Sequence, residues 1–340
     1  MLQKLPERLL PWFEANRRDL PWRRDREPYH VWLSEIMLQQ TRVEAVRGYY
    51  ERFLSRLPTI EALAAAEENE LLKLWEGLGY YSRVRNLQKA AQVIVRDCGG
   101  KFPHEYGKIL ALPGIGAYTA GAICSICFEQ PTPAVDGNVL RVISRLHASD
   151  APIGEDRVKR SVAQELEKIY PIGHCGDFTQ ALMELGATVC LPNGKPLCAQ
   201  CPVKDICAAN QTGMQASYPV RAAKKPRRVE HRTVFFLQCG EKIAVCKRPK
   251  TGLLAGLWQL PDVPGELTVA DMLCQAESWG VHPRNIQKTV QRTHVFTHVE
   301  WRLTCCYLEC TREKEFTWVT RQELEEIIGL PTAYRQFLAE

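Results

Sequence analysis

The stretch Leu112-Pro-Gly-Ile-Gly-Ala-Tyr-Thr-Ala120 places two glycines, Gly114 and Gly116, in a tight turn between two helical runs. Such a turn presents successive backbone N–H groups at a helix N-terminus, where the partial positive charge suits a phosphate. Contacts of this kind hold the DNA backbone without reading its sequence. An isolated Gly-x-Gly turn is more often a packing feature, so the surrounding sequence decides how it is interpreted.

The region around this turn, residues 1–207, has the periodicity of helices. Apolar residues recur at three- and four-residue spacing in residues 60–75 and 87–95, and glycine- and proline-containing turn signals separate the runs. We predict a compact all-helical region.

The composition and the hydrophobic pattern of the sequence change after residue 207. Residues 208–228 have few large apolar side chains and end in a basic run, which predicts an interdomain linker. Residues 229–340 alternate short β-type runs with helical stretches, which predicts a separate α+β domain. The predicted strands and helices are Thr233–Leu237, Lys242–Cys246, Trp301–Leu308, Ala270–Ser278 and Arg321–Ile328.

The composition is that of a globular protein. The 340 residues are 45% hydrophobic and 24% charged, which argues against disorder, and there is neither a membrane-length apolar run nor a signal-peptide layout. We expect a soluble protein of the cytoplasm or another intracellular compartment. The net charge of +5 falls entirely in the linker, which is compatible with a nucleic-acid partner without proving one.

Two acidic residues have settings that suit catalysis. Asp136 opens Asp136-Gly-Asn138 ahead of a helix, where an Asp is by default an N-cap, although a cap and a catalytic role are compatible. Glu35 lies in the largely apolar run Val31–Arg42. Desolvation there would raise its pKa into a range useful for proton donation, whereas the alternative is an exposed Glu on a polar face.

Ten of the fourteen cysteines are scattered, and four form a cluster with the spacing C-x7-C-x2-C-x5-C: Cys190, Cys198, Cys201 and Cys207. This layout favours reduced thiols and one metal site over a disulfide scaffold. Four thiolates this close suit either tetrahedral zinc or a [4Fe–4S] cluster, and spacing alone does not choose between them.

Five elements together carry a resemblance: the Glu35 segment, Gly77–Asn86, the glycine turn, Val135-Asp-Gly-Asn138 and the four cysteines. In this order they resemble the helix-hairpin-helix DNA glycosylases, and most of all the MutY-type adenine DNA glycosylases, over essentially the whole chain. The resemblance implies a six-helix lobe at about 22–130 and a cluster lobe from 1–21 plus 131–207. A NUDIX-like domain at 229–340 would follow.

The resemblance also implies catalytic roles. Glu35 would protonate adenine at N7, and Asp136 would stabilise the oxocarbenium-like sugar or bond to it covalently. Asn138 and Tyr118 would orient and shield this pair. Bifunctional relatives such as endonuclease III carry a lysine at the Tyr118 position, so without that amine strand cleavage should be weak.

Further residues match DNA-binding and lesion-binding positions of the family. Gln40 and Tyr80 would wedge into the duplex beside the extruded base, their alternatives being a surface amide and a half-buried core aromatic. Arg18 and Arg23 would contact the site or the DNA backbone, or be solvated surface arginines. Phe296, Thr297 and His298 match the loop that contacts 8-oxoguanine, with Thr297 in place of the usual serine; the alternative is a buried strand end.

The resemblance favours a [4Fe–4S] cluster, although the first cysteine gap has seven residues where the family usually has six. It implies monomeric binding to double-stranded DNA with 8-oxoguanine·A or G·A mispairs, and no membrane partner. The NUDIX-like domain lacks the acidic array of a pyrophosphatase, so we predict no hydrolase activity there. Two alternatives stay open: an endonuclease III-like or mismatched-pyrimidine glycosylase, and a damage-binding protein without catalysis.

Overall fold

A computed structural model describes residues 2–222 and 226–339. These residues form two compact units. The helical unit holds the described residues up to Ala65 and those from Asn86 to position 222. The sheet unit holds Ala66–Arg85 together with the described residues from position 226 onward. A segment internal to the helical sequence thus clusters with the C-terminal part of the chain.

The described residues up to position 207 are helical, as predicted, and one further short helix lies in the segment predicted as a linker. The helices α1 to α12 are Leu5–Asn16, Pro28–Met37, Val43–Arg56, Ile60–Ala65, Glu68–Leu74, Ser82–Cys98, Tyr106–Leu110, Ala117–Phe128, Gly137–His147, Asp156–Glu167, Cys175–Thr188 and Ala208–Gln211. The glycine turn joins α7 to α8, which confirms a helix–turn–helix at this position.

Helix α8 is central to the helical unit because it is apolar on nearly all sides, and all of Thr119–Ile126 is buried. It packs against both α2 and α11. Gly121 permits a close approach, since a Cβ there would lie 2.3 Å from the carbonyl oxygen of Pro133. These contacts bring the residues of α2 and α8 beside the segment that leads into α9.

The apolar run at 60–75 is two helices, where its periodicity had suggested one continuous pattern. Helix α4 ends at Ala65, and Glu67 has an extended backbone before α5 begins. The break coincides with the boundary between the two units. Apolar spacing is preserved across it, because α4 and α5 each bury one face, and spacing alone therefore does not reveal the interruption.

The second core of the helical unit combines both ends of its sequence. Side chains of α1, including Leu5, Leu9 and Phe13, pack with α9, α11 and the cysteine-containing loops. Part of the segment predicted as a linker also folds here: Arg145 donates to the carbonyl oxygens of Gln215 and Tyr218, each at 3.0 Å. Residues 223–225 of that predicted linker lie outside the described residues.

The sheet unit contains a mixed seven-stranded sheet. Its central order is β3-β2-β1-β6-β5, with β4 paired to β1 and β7 to β2; β1 and β6 are parallel and the other pairs antiparallel. The strands β1 to β7 are Arg228–Cys239, Lys242–Lys247, Trp258–Gln259, Asp262–Pro264, Pro283–Val295, Val299–Cys310 and Thr317–Thr320. The three predicted strands are confirmed within β1, β2 and β6.

Both faces of the sheet are covered, which explains the continuous apolar run in β1. Val234 and Phe236 point into one core, and Phe235 and Leu237 into the other. The helices α13, α14 and α15 are Val269–Ser278, Arg321–Glu326 and Thr332–Arg335, so the two predicted helical stretches are also confirmed. Across the described ranges, no helix combines the length and apolarity needed to cross a membrane.

Candidate active site

Glu35 is buried in α2, where every residue from Val31 to Met37 is buried, and only 6% of Glu35 is exposed. The alternative of an exposed glutamate on a polar face is therefore wrong. Tyr118 of α8 donates its hydroxyl to Glu35 Oε2 at 2.5 Å. The phenol also lies 3.9 Å from Met183 Sδ of α11. Residues of three helices thus meet at the Tyr118 hydroxyl.

Asp136 is the N-cap of α9, as its local pattern predicted. One carboxylate oxygen accepts the backbone N–H of Val139 at 2.7 Å, and the other accepts from Asn138 Nδ2 at 2.6 Å. Asp136 is also close enough to Glu35 for its charge to affect the pKa of that residue. The cap therefore holds a second carboxylate beside the first.

Burial is the main cause that raises the pKa of Glu35, to about 7, and the charge of Asp136 raises it further, while the hydrogen bond from Tyr118 opposes the shift. Burial also raises the pKa of Asp136, but its hydrogen bonds from Val139 and Asn138 favour the charged form. The pKa of Tyr118 lies well above its usual range because it is desolvated beside two acids. Tyr118 therefore remains a donor at neutral pH.

The side chain of Asn138 is held in place by Arg141, which is 3% exposed. The Arg141 guanidinium donates to Asn138 Oδ1 at 2.9 Å, to the Gly186 carbonyl oxygen at 2.7 Å and to the Cys190 carbonyl oxygen at 2.8 Å. A Cβ on Gly186 would lie 2.5 Å from Asn138 Cβ, so α11 approaches α9 closely here. One buried arginine therefore connects the acid pair to the first cysteine.

Arg18 and Arg23 are ion-paired to Glu184, a fully buried carboxylate of α11, so neither is a solvated surface arginine. Arg18 makes two side-chain bonds to it, at 2.8 and 2.9 Å, and Arg23 makes one at 2.9 Å. Burial opposes ionisation of Glu184, but the hydrogen bonds from both arginines prevail and lower its pKa to about 2. Arg23 also lowers the pKa of Glu35.

The two glycines of the turn have different backbone settings. Gly114 has φ of +77°, a backbone region that favours glycine, and a Cβ there would lie 2.6 Å from Asn86 Cβ. Gly116 is the N-cap of α8 and has extended backbone, and a Cβ there would meet no atom within 4 Å. The first glycine is thus required by the fold, and the second leaves open space at the helix N-terminus.

Gln40 and Tyr80 are both exposed and both adopt positive φ, 59° and 48° respectively. Such a backbone is uncommon outside glycine and costs free energy, and it clusters at functional positions. Tyr80 is 46% exposed, so the alternative of a half-buried core aromatic is not what the structure places there.

Phe296, Thr297 and His298 form the turn between β5 and β6, and the last two are exposed. The alternative of a buried strand end is therefore wrong for them. Phe296 packs edge-on against the buried Trp301, with ring centroids 4.9 Å apart. The hydroxyl of Thr297 forms a hydrogen bond with that of Tyr80. A cavity of about 790 Å³ within the sheet unit is lined by these residues.

The four clustered cysteines line one small cavity of about 30 Å³ with almost entirely apolar walls. Arg145 lies beside it and contacts Cys190 Sγ at 3.2 Å. Within residues 2–222 and 226–339, no three His, Cys, Asp or Glu side chains are grouped closely enough to hold a metal ion. The thiols thus face a shared space without contacting a common point.

Family models match both parts of the chain. The HhH-GPD superfamily base excision DNA repair protein model matches residues 33–170, and a NUDIX domain model matches residues 233–340. The human adenine DNA glycosylase is 37% identical, over 86% of this chain and 64% of the human protein. The adenine DNA glycosylase of Schizosaccharomyces pombe is 30% identical, over 96% of this chain and 87% of that protein.

This chain belongs to the adenine DNA glycosylase family. It spans less than two thirds of the human relative's length, and 56% of the Arabidopsis thaliana relative's.

Solved structures agree on the fold of the helical part. A thermostable thymine-DNA glycosylase has a TM-score of 0.56 and 30% identity, covering 61% of this chain and 94% of that chain. An Endonuclease III–DNA complex has a TM-score of 0.52 over 62% of this chain and 95% of its own, and at 24% identity it supports the fold alone.

Sequence reasoning missed two buried charges at the site of this family member, Glu184 and Arg141. Each sits in an apolar helical run, Ala181–Gly186 and Val139–Ile143. The signal that singled out Glu35, an ionisable residue flanked by apolar neighbours, was present in both runs. Glu184 lies outside the stretches that contain the acid pair and the glycine turn, whereas Arg141 lies five residues after Asp136, in the helix that Asp136 caps.

Proposed function

We propose that this protein removes adenine mispaired with 8-oxoguanine or guanine from DNA and leaves the strand intact. The observation that carries the proposal is the buried Glu35 carboxyl, with a pKa of about 7, beside the hydrogen-bonded Asp136 carboxylate. The kinship with proteins named adenine DNA glycosylases supports adenine as the base.

Glu35 acts in this proposal as the general acid. At neutral pH a substantial fraction of it is protonated, and transfer of that proton to N7 of adenine makes the base a better leaving group. As the C1′–N9 bond breaks, its electron pair departs with the base. Water then adds to C1′ and releases a proton, so hydrolysis consumes one water and regenerates the acid.

Asp136 acts as the counter-charge for the sugar. A carboxylate placed against a developing oxocarbenium ion stabilises it electrostatically, by analogy with glycoside hydrolysis. The Val139 N–H and the Asn138 amide occupy one lone pair on each oxygen and so fix its orientation. The Asp136 carboxylate, held in the same orientation, would also suit a covalent bond to C1′, the other role that the resemblance to this family implies.

Tyr118 explains why the strand would remain intact. A Schiff-base route to strand cleavage needs an amine at the sugar, and the phenol at this position is occupied as a donor to Glu35. We therefore propose base release without an accompanying lyase step.

The DNA would be held at several places. Gly116 and the N-terminus of α8 suit a backbone phosphate, and Gln40 and Tyr80 are exposed, as a duplex wedge requires. We propose that Thr297 and His298 contact the 8-oxoguanine. Arg18 and Arg23, being bound to Glu184, are proposed to shape the base pocket, with no role on the DNA backbone.

The four cysteines are proposed to hold a [4Fe–4S] cluster. Four thiolates suit either tetrahedral zinc or a [4Fe–4S] cluster, and the kinship with the helix-hairpin-helix glycosylases favours the cluster. The four cysteines line one common cavity, which is where the group would lie. When bound, it would supply rigidity to the loop that meets Arg141 and Arg145.

The test is single-turnover adenine release from a duplex with one 8-oxoguanine·A pair, with heat and alkali revealing the abasic product. The proposal requires fast release and no nicking before alkali. Absence of release, or preferential attack on oxidised pyrimidines or G·T pairs, would replace it with the pyrimidine-glycosylase or binding-only alternatives.

A further inference from the structure

The sheet unit contains a buried carboxylate, Glu76, that the proposed chemistry does not use. Its side chain is 8% exposed. Oε1 accepts the backbone N–H of Leu330 at 2.8 Å, and Oε2 lies 2.9 Å from Lys73 Nζ and 2.8 Å from Arg335 Nη1. Two charged donors and one backbone donor from different segments therefore converge on it.

Further contacts connect the segment 66–85 to the C-terminal residues of the sheet unit. Lys73 Nζ also reaches the carbonyl oxygens of Leu324 at 3.4 Å and Ile328 at 3.3 Å. A Cβ on Gly329 would lie 3.1 Å from the Leu72 carbonyl oxygen, so the two backbones approach closely.

Arg85, at the C-terminal end of the segment 66–85, is held by a separate set of contacts. Arg85 Nη1 donates to the Ala255 carbonyl oxygen at 2.7 Å, while its Nε pairs with Glu68 at 2.8 Å. Positions 76 and 85 thus form two attachment points, and the exposed Tyr80 lies between them.

The loop between these points is internally fixed. Trp75 Nε1 donates to the Gly79 carbonyl oxygen at 3.1 Å. Arg83 Nη2 donates to the carbonyl oxygens of Leu78 and Gly79 at 3.0 and 3.1 Å. A loop that is rigid within itself moves as a body, so the attachment points determine where the Tyr80 hydroxyl lies relative to Thr297.

The charge at position 76 bears on the role of this contact. A buried ion pair adds little net stability compared with an apolar side chain of similar size, because both charges lose hydration. What distinguishes an ion pair from an apolar contact is its directionality, because charge-assisted hydrogen bonds favour defined geometries. Glu76 is therefore better suited to setting orientation than to adding stability.

We propose that Glu76 is a positioning residue that holds Tyr80 against Thr297 and thereby sets how strongly the protein discriminates 8-oxoguanine from guanine. The inference rests on the proposed function. The two purines differ by the O8 acceptor and the N7–H donor of 8-oxoguanine. A hydroxyl pair at fixed positions can match that difference, whereas a mobile pair adapts to either base and discriminates less.

The experiment compares Glu76→Gln with Glu309→Gln. Glu309→Gln also removes an ion pair within the sheet unit, between Glu309 and Arg284 at 2.8 Å on the surface. Adenine release from 8-oxoguanine·A and G·A duplexes is measured at subsaturating and saturating protein. In Glu76→Gln the preference for 8-oxoguanine at subsaturating protein falls by about 5-fold or more, with the saturating G·A rate within about 2-fold of native.

Hydrogen exchange of the amides at 77–83 provides a readout that does not depend on activity. Faster exchange confined to this segment in Glu76→Gln, and absent in Glu309→Gln, supports the positioning role. Arg335→Gln removes one donor from an exposed side chain and should act in the same direction with a smaller effect, which protects the test against a folding defect at position 76.

Equal loss of rate on both duplexes, or an unchanged preference, would overturn the positioning role. If the native protein releases no adenine at all, the proposed function fails by itself. The exchange measurement then still decides whether Glu76 holds the segment, and unchanged exchange at 77–83 would reject that.

Discussion

At the scale of single residues, the useful property of Glu35 is also a cost to the fold. Desolvation in α2 raises its pKa from 4.5 to about 7, so the proton that the proposed general acid would donate is retained to neutral pH. Above that pH the folded protein must hold a buried charge that the unfolded chain exposes to water. Catalytic fitness and stability therefore oppose each other at this position.

Glu35→Gln should accordingly be nearly inactive yet more stable. Loss of the general acid lowers the excision rate by about 10²–10⁴-fold. A group whose pKa is raised on folding loses stability as pH rises from its unfolded to its folded value, so the gain from the neutral amide grows between about pH 4.5 and 7. It reaches on the order of 1–3 kcal/mol above pH 7.

Thermal unfolding of native and variant protein at pH 5 and pH 8 measures this gain, and lesion affinity should be largely unchanged. The exposed Glu14→Gln is the control, with no pH-dependent difference expected. A stability difference that is the same at both pH values would contradict the buried-acid assignment.

Asp136→Asn should also lower the rate of adenine excision by orders of magnitude.

Glu184→Gln should move the pH dependence of excision. Glu184 neutralises Arg18 and Arg23, and Arg23 lowers the pKa of Glu35. Without the carboxylate, the positive charge acts on Glu35 unopposed and lowers its pKa further, so excision declines at lower pH as pH rises. Single-turnover rates from pH 5.5 to 9 locate the midpoint of that decline. Glu155→Gln, which removes an exposed ion pair with Arg157, should leave it in place. A shift toward higher pH would refute the coupling.

At the scale of elements, the turn between α7 and α8 carries two nearby glycines, one of which the fold requires while the other is proposed to admit a phosphate. Gly114 needs its left-handed backbone and its lack of a Cβ, whereas Gly116 needs neither for packing. An empty position at a helix N-terminus is what a phosphate approaching the backbone N–H groups requires. The two glycines should therefore fail in different ways.

Gly114→Ala should destabilise the protein by about 1–3 kcal/mol, because it combines strained backbone with a contact to Asn86. Gly116→Ala should leave thermal unfolding unchanged while weakening duplex binding several-fold. Melting temperature and DNA affinity, measured for both variants, test the separation. Unchanged affinity in a stable Gly116→Ala protein would remove the turn from the DNA interface.

Helix α9 shows how one element serves several purposes. Its N-cap is Asp136, its first turn carries Asn138, and its buried arginines at 141 and 145 reach the Cys190 segment. The helix thus links the acid pair to the cysteine loop through side chains spaced by three and four residues, which share a face.

At the scale of the whole molecule, the cysteine loop depends on both ends of the helical sequence. Arg8 of α1 pairs with Asp205 between two of the cysteines, at 2.6 Å, and α1 packs in the same core as Cys201 and Cys207. A group bound by the four thiols would close this long-range arrangement, and its loss would affect folding far from the loop.

Cys201→Ser should therefore lose bound iron and the brown colour of the cluster, with a lower melting temperature and weaker DNA binding. Cys274→Ser, at an exposed cysteine of the sheet unit, should behave as native. Iron analysis and thermal unfolding of both purified proteins make the comparison. Full iron content in Cys201→Ser would contradict the assignment of the ligands.

The sequence by itself determined the elements and the chemical types at the site. Helical periodicity, the glycine turn and the alternating strands depend on local spacing, and local spacing sets which face of an element is apolar. Glu35 was found by the same logic, since an acid among apolar neighbours is desolvated in any fold that buries them. Asp136 was found because an N-cap is a local property.

Only the tertiary structure decided which distant groups meet. The pairing of Tyr118 with Glu35, of Arg18 and Arg23 with Glu184, and of Arg141 with Cys190 joins residues 49 to 166 positions apart. The assignment of residues 66–85 to the sheet unit is of the same kind. Local spacing shows that a side chain will be buried, but packing between elements selects its partner. A buried charge must be paired, and the residue that pairs with it can lie anywhere in the sequence.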